Sequence, residues 1–198
     1  MKNPAIVVPE GCKEVLLHAC CAPCSSAIVE WMLANGVRPT IFYYNPNIFP
    51  REEYEIRKNE SKRHAEGLGL TWIDGDYNHE QWLEGLMSLC DIQQAPERGI
   101  RCERCFVYRL TVAARKAKEL GLQYFTTTLA SSRWKSLEQI NRAGHLAEQA
   151  VEGTTFWDQN WRKGGLQERR NQLLKEFDFY NQQYCGCEFS QRTVQQEK

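Results

Sequence analysis

Short apolar runs alternate along this chain with longer stretches in which apolar and charged positions recur at helical spacing. Glu14 to His18 reads as a buried strand, followed at once by the turn Ala19-Cys20-Cys21-Ala22-Pro23-Cys24. A periodic segment then runs from Ser25 to Asn35, with Ser25 or Ser26 as its cap and Gly36 as its stop. Thr40 to Tyr44 predicts a second strand, closed by the turn signal Asn45-Pro46-Asn47. The spacing next predicts a charged amphipathic helix over Glu52 to Gly67, a strand over Leu70 to Asp74 and a helix over His79 to Leu89. Beyond a loop holding Gly99 come a helix over Cys105 to Leu120, a strand over Tyr124 to Thr128, and helices over Lys135 to Ala150 and Leu166 to Tyr180.

Strands that alternate with helices of this length imply right-handed crossovers and a parallel sheet. The expected class is therefore α/β: a Rossmann-like parallel sheet with helices on both faces. Ligands of such sheets sit beyond the carboxyl ends of the strands, which here carry Cys20 and Cys21, Asn45 to Asn47, Asp74 and Asp76, and Thr126 to Thr128. The 198 residues suit a single α/β domain over 1–198, with 153–198 as a C-terminal helical extension that carries Cys185-Gly186-Cys187. Gly153 to Gly165 is expected to be a mobile active-site loop.

Composition narrows the picture. A hydrophobic fraction of 42% and a charged fraction of 25% belong to ordinary globular proteins and exclude disorder. No apolar run approaches the ~20 residues of a membrane helix, and the N-terminus lacks the apolar core of a signal peptide. A cytoplasmic protein with no membrane partner is expected. The formal net charge is zero, so contact with nucleic acid must come from local patches rather than the global field.

Nine cysteines are an odd number, and most lie too close together for structural cross-links. In a reducing compartment such residues serve as metal ligands or reactive thiols. Cys20-Cys21-Ala22-Pro23-Cys24 stands between a strand and a helix, where free N–H groups favour thiolates. A C-x-P-C there also suits a thioredoxin-like dithiol, but that leaves Cys20 and the later cysteines unexplained. Cys102-Glu103-Arg104-Cys105 can grip one metal or cluster. Arg98, Arg101, Arg104 and Arg109 would offset thiolate charge, or form a solvated helix face. Cys185-Gly186-Cys187 closes so small a ring that its disulfide is labile, which suits electron transfer, and metal ligation is the rival. Cys12 and Cys90 read as packing residues. Zinc and iron–sulfur sites accept the same ligands; the surplus of cysteines at one sheet edge favours redox chemistry.

Together these motifs resemble the cobalamin-independent epoxyqueuosine reductases of the QueH family over nearly the whole chain. The resemblance is carried by Leu17-His18-Ala19-Cys20-Cys21-Ala22-Pro23, Tyr44-Asn45-Pro46-Asn47-Ile48 with Glu53-Tyr54 and Arg57, and Glu97-Arg98-Gly99-Ile100-Arg101-Cys102-Glu103-Arg104-Cys105-Phe106. Thr126 to Leu129, Ile140-Asn141, Gly164-Gly165 and Tyr184-Cys185-Gly186-Cys187 complete it. It implies a two-electron removal of the epoxide oxygen of epoxyqueuosine at the anticodon wobble position of tRNA, the last step of queuosine synthesis, with electrons from an unidentified donor. It maps the ligands of a [4Fe-4S] cluster to Cys20, Cys21, Cys102 and Cys105, and a redox-active disulfide to Cys185 and Cys187. Cys24 falls where some members carry aspartate, which makes it a candidate ligand of an adjacent iron ion. Asn45, Asn47, Tyr54, Arg57, Lys135, Gly164 and Gly165 are the expected substrate contacts. One stretch departs from the family's Ser-Pro-His-Lys and reads Ser132-Arg133-Trp134-Lys135.

Epoxide opening to an alkene needs two electrons, two protons and a place for the developing alkoxide. Asp74, Asp76, Glu53 and Tyr54 are candidate acids, each with a capping or solvated role as its alternative, and His18 reads as a hydrogen-bonded core residue. Two basic runs could hold tRNA phosphates, Arg57 to Arg63 and Arg162 to Arg170; the second, with Trp157 and Trp161 for bases, is preferred. The rival readings are a thioredoxin-like thiol oxidoreductase, a zinc-stabilised RNA-binding module and an ATP-dependent sulfur-transfer enzyme. The last needs a Gly-rich phosphate loop where the cysteine turn stands.

Overall fold

A computed structural model describes residues 6–87 and 95–190. Its strands are β1 (Glu14–His18), β2 (Arg38–Tyr43), β3 (Trp72–Asp74), β4 (Tyr124–Thr127) and β5 (Thr155–Phe156). They pair in parallel in the order β3-β2-β1-β4-β5. The helices are α1 (Ala22–Ala34), α2 (Arg51–Gly67), α3 (His79–Met87), α4 (Ile100–Glu119), α5 (Leu137–Ala150) and α6 (Leu166–Glu176), with a 3-10 turn over Thr128–Ser131. Helix α1 packs on α2 and α6, while α4 packs on α5, so helices cover both faces and the Rossmann-like α/β class holds.

The central strands read as continuous apolar runs because both faces are covered. Val15, Leu16 and Leu17 of β1 are fully buried, as are Phe125 of β4 and Leu110, Ala113 and Ala117 of α4. The strand order reverses between β1 and β4, which opens a crevice at their carboxyl ends. The cysteine turn begins there.

Several boundaries differ from the sequence reading. Helix α1 starts at Ala22 with Cys21 as its cap residue. Ser25 and Ser26 do not cap it; their hydroxyls bond back to the carbonyls of Cys21, Ala22 and Pro23. Pro23 is tolerated in the first turn, where its missing N–H has no partner to lose. Helix α4 begins at Ile100 rather than Cys105, with Gly99 preceding it. A Cβ on Gly99 would stand 2.9 Å from the carbonyl oxygen of Pro96, so only glycine fits this entry.

Residues 155–156, inside the segment expected to be a helical extension, form the fifth strand. The stretch 153–165 is not a free loop, since Trp157 and Trp161 pack against Trp31 at centroid distances of 6.3 and 5.9 Å. Helix α6 ends at Glu176, short of Tyr180. Cys12 is a buried core residue as expected; Cys90 and the end of the predicted helix over 79–89 lie outside the described residues.

Candidate active site

His18 closes β1 and ties three strand ends together. Its Nε2–H donates to the carbonyl of Tyr44 (3.0 Å), which leaves Nδ1 to accept from the Thr127 hydroxyl (2.8 Å). Burial, reinforced by Arg109, lowers its pKa to about 3, so the ring is neutral near pH 7. The core role read from the sequence therefore holds.

From this anchored strand end the chain turns directly into α1. Cys21 and Cys24, three residues apart, share one helix face, and Cys20 joins them so that all three sulfurs lie within 4.8 Å of one another. The backbone N–H of Cys20 donates to Thr128 Oγ1 (3.1 Å), and the Thr128 hydroxyl lies 3.3 Å from Cys20 Sγ. The Gln182 carboxamide donates to Cys21 Sγ (3.0 Å) and Cys24 Sγ (3.6 Å). Thiol protons of Cys21 and Cys24 directed at Cys20 hold its pKa well below the usual range. The same sharing pushes Cys24 up to about 12.

The other two motifs meet across a cavity lined by Asn47, Trp82, Arg101, Arg109 and Phe106 together with Cys102, Cys105, Cys185 and Cys187. Cys102 and Cys105 share a face of α4 because they too are three residues apart. The Arg98 N–H donates to Cys102 Sγ (3.3 Å). Burial and then the charge of Cys185 raise Cys102 to about 11. Cys185 is pushed the other way: the Cys187 thiol donates to it, and Lys135, Arg109 and Arg57 favour its thiolate.

A second cleft, which shares Cys102, Phe106 and Cys185, adds Lys135, Trp134, Arg98 and Gln139. Burial alone would lower the pKa of Lys135, but the sulfurs of Cys185, Cys20 and Cys24 outweigh it and the ammonium is stabilised. Its charge is thus felt by both the N-terminal triad and the C-terminal pair.

The Cys185–Cys187 loop has no regular structure and is held from outside. Arg57, buried on α2, donates to the carbonyls of Cys185 and Tyr184 at 3.3 Å each. Glu53 holds the guanidinium at 2.8 Å and accepts from the Tyr180 hydroxyl at 2.8 Å. The Phe49 N–H donates to the Gly186 carbonyl (2.8 Å), and Tyr184 Oη–H donates to the Phe49 carbonyl (2.7 Å). Gly186 has φ +118°, and a Cβ there would meet Ile48 at 3.0 Å and Arg57 at 3.1 Å.

Of the substrate contacts expected from the sequence, Asn47 and Lys135 reach these cavities. Asn47 is buried and its Oδ1 has no hydrogen-bond partner among the described residues, nor has Arg109 Nε; the Trp82 indole N–H is directed at the Cys105 sulfur. Asn45 supports architecture: it donates to the Ala19 carbonyl (2.9 Å) and accepts from Arg109. Arg57 is committed to the cysteine loop. Tyr54 is buried with its hydroxyl on Asp74 (3.3 Å) and lines neither cavity. Gly164 and Gly165 take positive φ at the entry of α6 and also line neither cavity.

The preferred tRNA patch is corrected. Trp157 and Trp161 are core residues, and Arg169 is spent on Glu30 and Glu176 at 2.9 Å each. Two of the four candidate acids are engaged elsewhere, Glu53 with Arg57 (2.6 Å) and Asp74 with Lys58 (3.5 Å). Trp82 and Gln182 were missed as site residues, whereas Arg109, named among the arginines that would offset thiolate charge, does line the cavity. Arg109 was legible, since it lies four residues beyond Cys105 on the same face of α4; Gln182 left no local signal.

Soft thiolates with cationic neighbours and N–H or O–H donors on sulfur fit an iron–sulfur cluster, or a single iron or zinc ion at Cys20, Cys21 and Cys24. The family model described as epoxyqueuosine reductase QueH matches residues 15–193. The chain is 46% identical over 190 residues to a protein of that name from Histophilus somni (96% of this chain, 77% of the relative). It is 43% identical to one from Acinetobacter baylyi (97% and 88% covered). A third, from Thermotoga maritima, is 36% identical (89% of each covered).

Proposed function

The chain belongs to the QueH family of epoxyqueuosine reductases, and on that premise we infer that it removes the epoxide oxygen of epoxyqueuosine in tRNA, the last step of queuosine synthesis. The observation that carries the reading is the convergence of Cys102, Cys105, Cys185 and Cys187 on one cavity, with Lys135 in the adjoining cleft, where its charge is felt by Cys185, Cys20 and Cys24.

The electron count closes on the chain's own thiols. Oxidation of the Cys185 and Cys187 thiols to a disulfide releases two electrons and two protons. Cleavage of both carbon–oxygen bonds of the epoxide consumes two of each and leaves an alkene and water. An external donor of unassigned identity then restores the dithiol. Both cysteines are free thiols here, and the Arg57 clamp keeps their loop on the cavity wall. Lys135 keeps a positive charge close to Cys185, which makes its ammonium our candidate for stabilising the negative charge that develops on the leaving oxygen. Asn47 Oδ1 and Arg109 Nε give the cavity an acceptor and a donor to orient a polar substrate.

Cys20, Cys21, Cys102 and Cys105 would hold a [4Fe-4S] cluster, with Cys24 as the ligand of an adjacent iron, and these groups would supply one-electron transfer and Lewis-acid chemistry. Arg101, Arg109 and Lys135 offset the thiolate charge of those ligands. A cytoplasmic location follows from a tRNA substrate, and no helix among the described residues is long and apolar enough to cross a membrane.

The test is anaerobic turnover of epoxyqueuosine tRNA by the wild-type protein and by Cys185→Ser. Queuosine formation over many turnovers by the wild type alone is expected. Full multiple-turnover activity in Cys185→Ser would remove the dithiol from the reaction.

A further inference from the structure

We propose that Trp134 is a stacking platform for a base of the substrate's anticodon loop, at the rim of the cleft that leads to Cys185. This rests on the tRNA reading above and deepens it.

Trp134 is 72% exposed, whereas Trp82, Trp157 and Trp161 are buried. An indole left in water on the wall of a cleft is apolar surface waiting for a flat partner. Its neighbours on that wall are Cys102, Lys135 and Cys185, so a base stacked on it would stand beside the reacting thiol. The preceding residue, Arg133, is exposed and offers a cation to the backbone of the same strand.

The platform is built rather than loose. Arg98 Nε donates to the Trp134 carbonyl (2.7 Å), and its Nη2 reaches the Arg133 carbonyl (3.5 Å). The Arg98 carbonyl accepts from Gln139 Nε2 (2.8 Å), and its N–H is spent on Cys102 Sγ. Arg98 makes these contacts at φ +63°, a conformation costly for a non-glycine residue and held only by its surroundings. One residue therefore fixes both a thiol and the backbone beneath the exposed indole. Sequence-tolerant stacking on an aromatic side chain is how single-stranded loops are commonly gripped.

The test uses the full-length protein and a synthetic RNA stem-loop of anticodon-arm sequence. Binding should quench tryptophan emission in the wild type. Trp134→Ala should raise Kd about tenfold, the lower part of the range for one base–aromatic stack, and abolish most of the quench. Trp134→Phe should keep most of the affinity while losing the quench, and a fully paired RNA duplex should quench neither protein. With epoxyqueuosine tRNA the alanine variant should raise KM far more than it lowers kcat. A wild-type Kd and KM in Trp134→Ala, with the wild type active on tRNA, would overturn the platform and leave the proposed reaction standing. A wild type that never reduces the tRNA would sink the underlying reading as well.

Discussion

Two cysteine groups share the charge of Lys135 in this fold and are held by different means. The N-terminal triad inherits its geometry from regular structure: Cys20 and Cys21 follow a strand buried from Val15 to His18, and Cys24 is in the first turn of α1. The C-terminal pair sits in a loop fixed by Arg57, Phe49 and Tyr184, which lie more than a hundred residues away or within the loop itself. Backbone-dictated sulfurs suit constant ligation. Sulfurs on a clamped loop can change their bonding without disturbing a strand or helix, which is what a dithiol that cycles through a disulfide requires.

The sharpest break in that comparison is loss of the cycling pair. Cys187→Ser should abolish multiple turnover while keeping the bound metal of the wild type, as read by queuosine formation against metal content. Next comes the clamp. Arg57→Ala strips Glu53 of its buried partner and should cost about 3–5 kcal/mol in urea denaturation. Arg57→Lys keeps the charge but not the fork that reaches two carbonyls, and should recover more stability than activity. A smaller effect is expected from Asn47→Ala, which removes one buried acceptor from the cavity and should raise KM about tenfold; an unchanged KM would take Asn47 out of substrate binding.

The smallest effect lies away from both groups. Burial, and then Arg63, lower the pKa of His64 on α2. The unfolded chain therefore takes up a proton first as pH falls below about 6.5. Stability contributed by the neutral ring is present above that pH and is lost on descent toward the folded pKa. Thermal melts at pH 7.5 and 5.5 should show a larger drop for the wild type than for His64→Gln.

The sheet was legible because β1, β2 and β4 are apolar runs between helical periods, and the two-residue β5 was not because it is shorter than any pattern. The starts of α1 and α4 were misread for a shared reason: each opens on cysteines and on residues that also signal turns, Pro23 in one and Gly99 in the other. Spacing alone marked the cysteine motifs as candidates for soft-metal and thiol chemistry, and Cys20, Cys21 and Cys24 do lie close enough together to hold a metal ion. Spacing could not reveal that Arg57 serves the loop at 185, that Gln182 caps two sulfurs, or that Trp161 belongs to the core, since each depends on a contact between distant segments. Trp134 stood out as a departure from the family's pattern, and only its exposure and the Arg98 support give that departure a physical meaning.

The most direct test of the account is the absorption spectrum and the iron and sulfide content of anaerobically purified protein, taken beside Cys102→Ser and Cys187→Ser. The account predicts a brown protein whose broad band fades in Cys102→Ser and persists in Cys187→Ser, so that ligation and thiol cycling separate. A colourless protein that holds zinc, or a band lost equally in both variants, would contradict it.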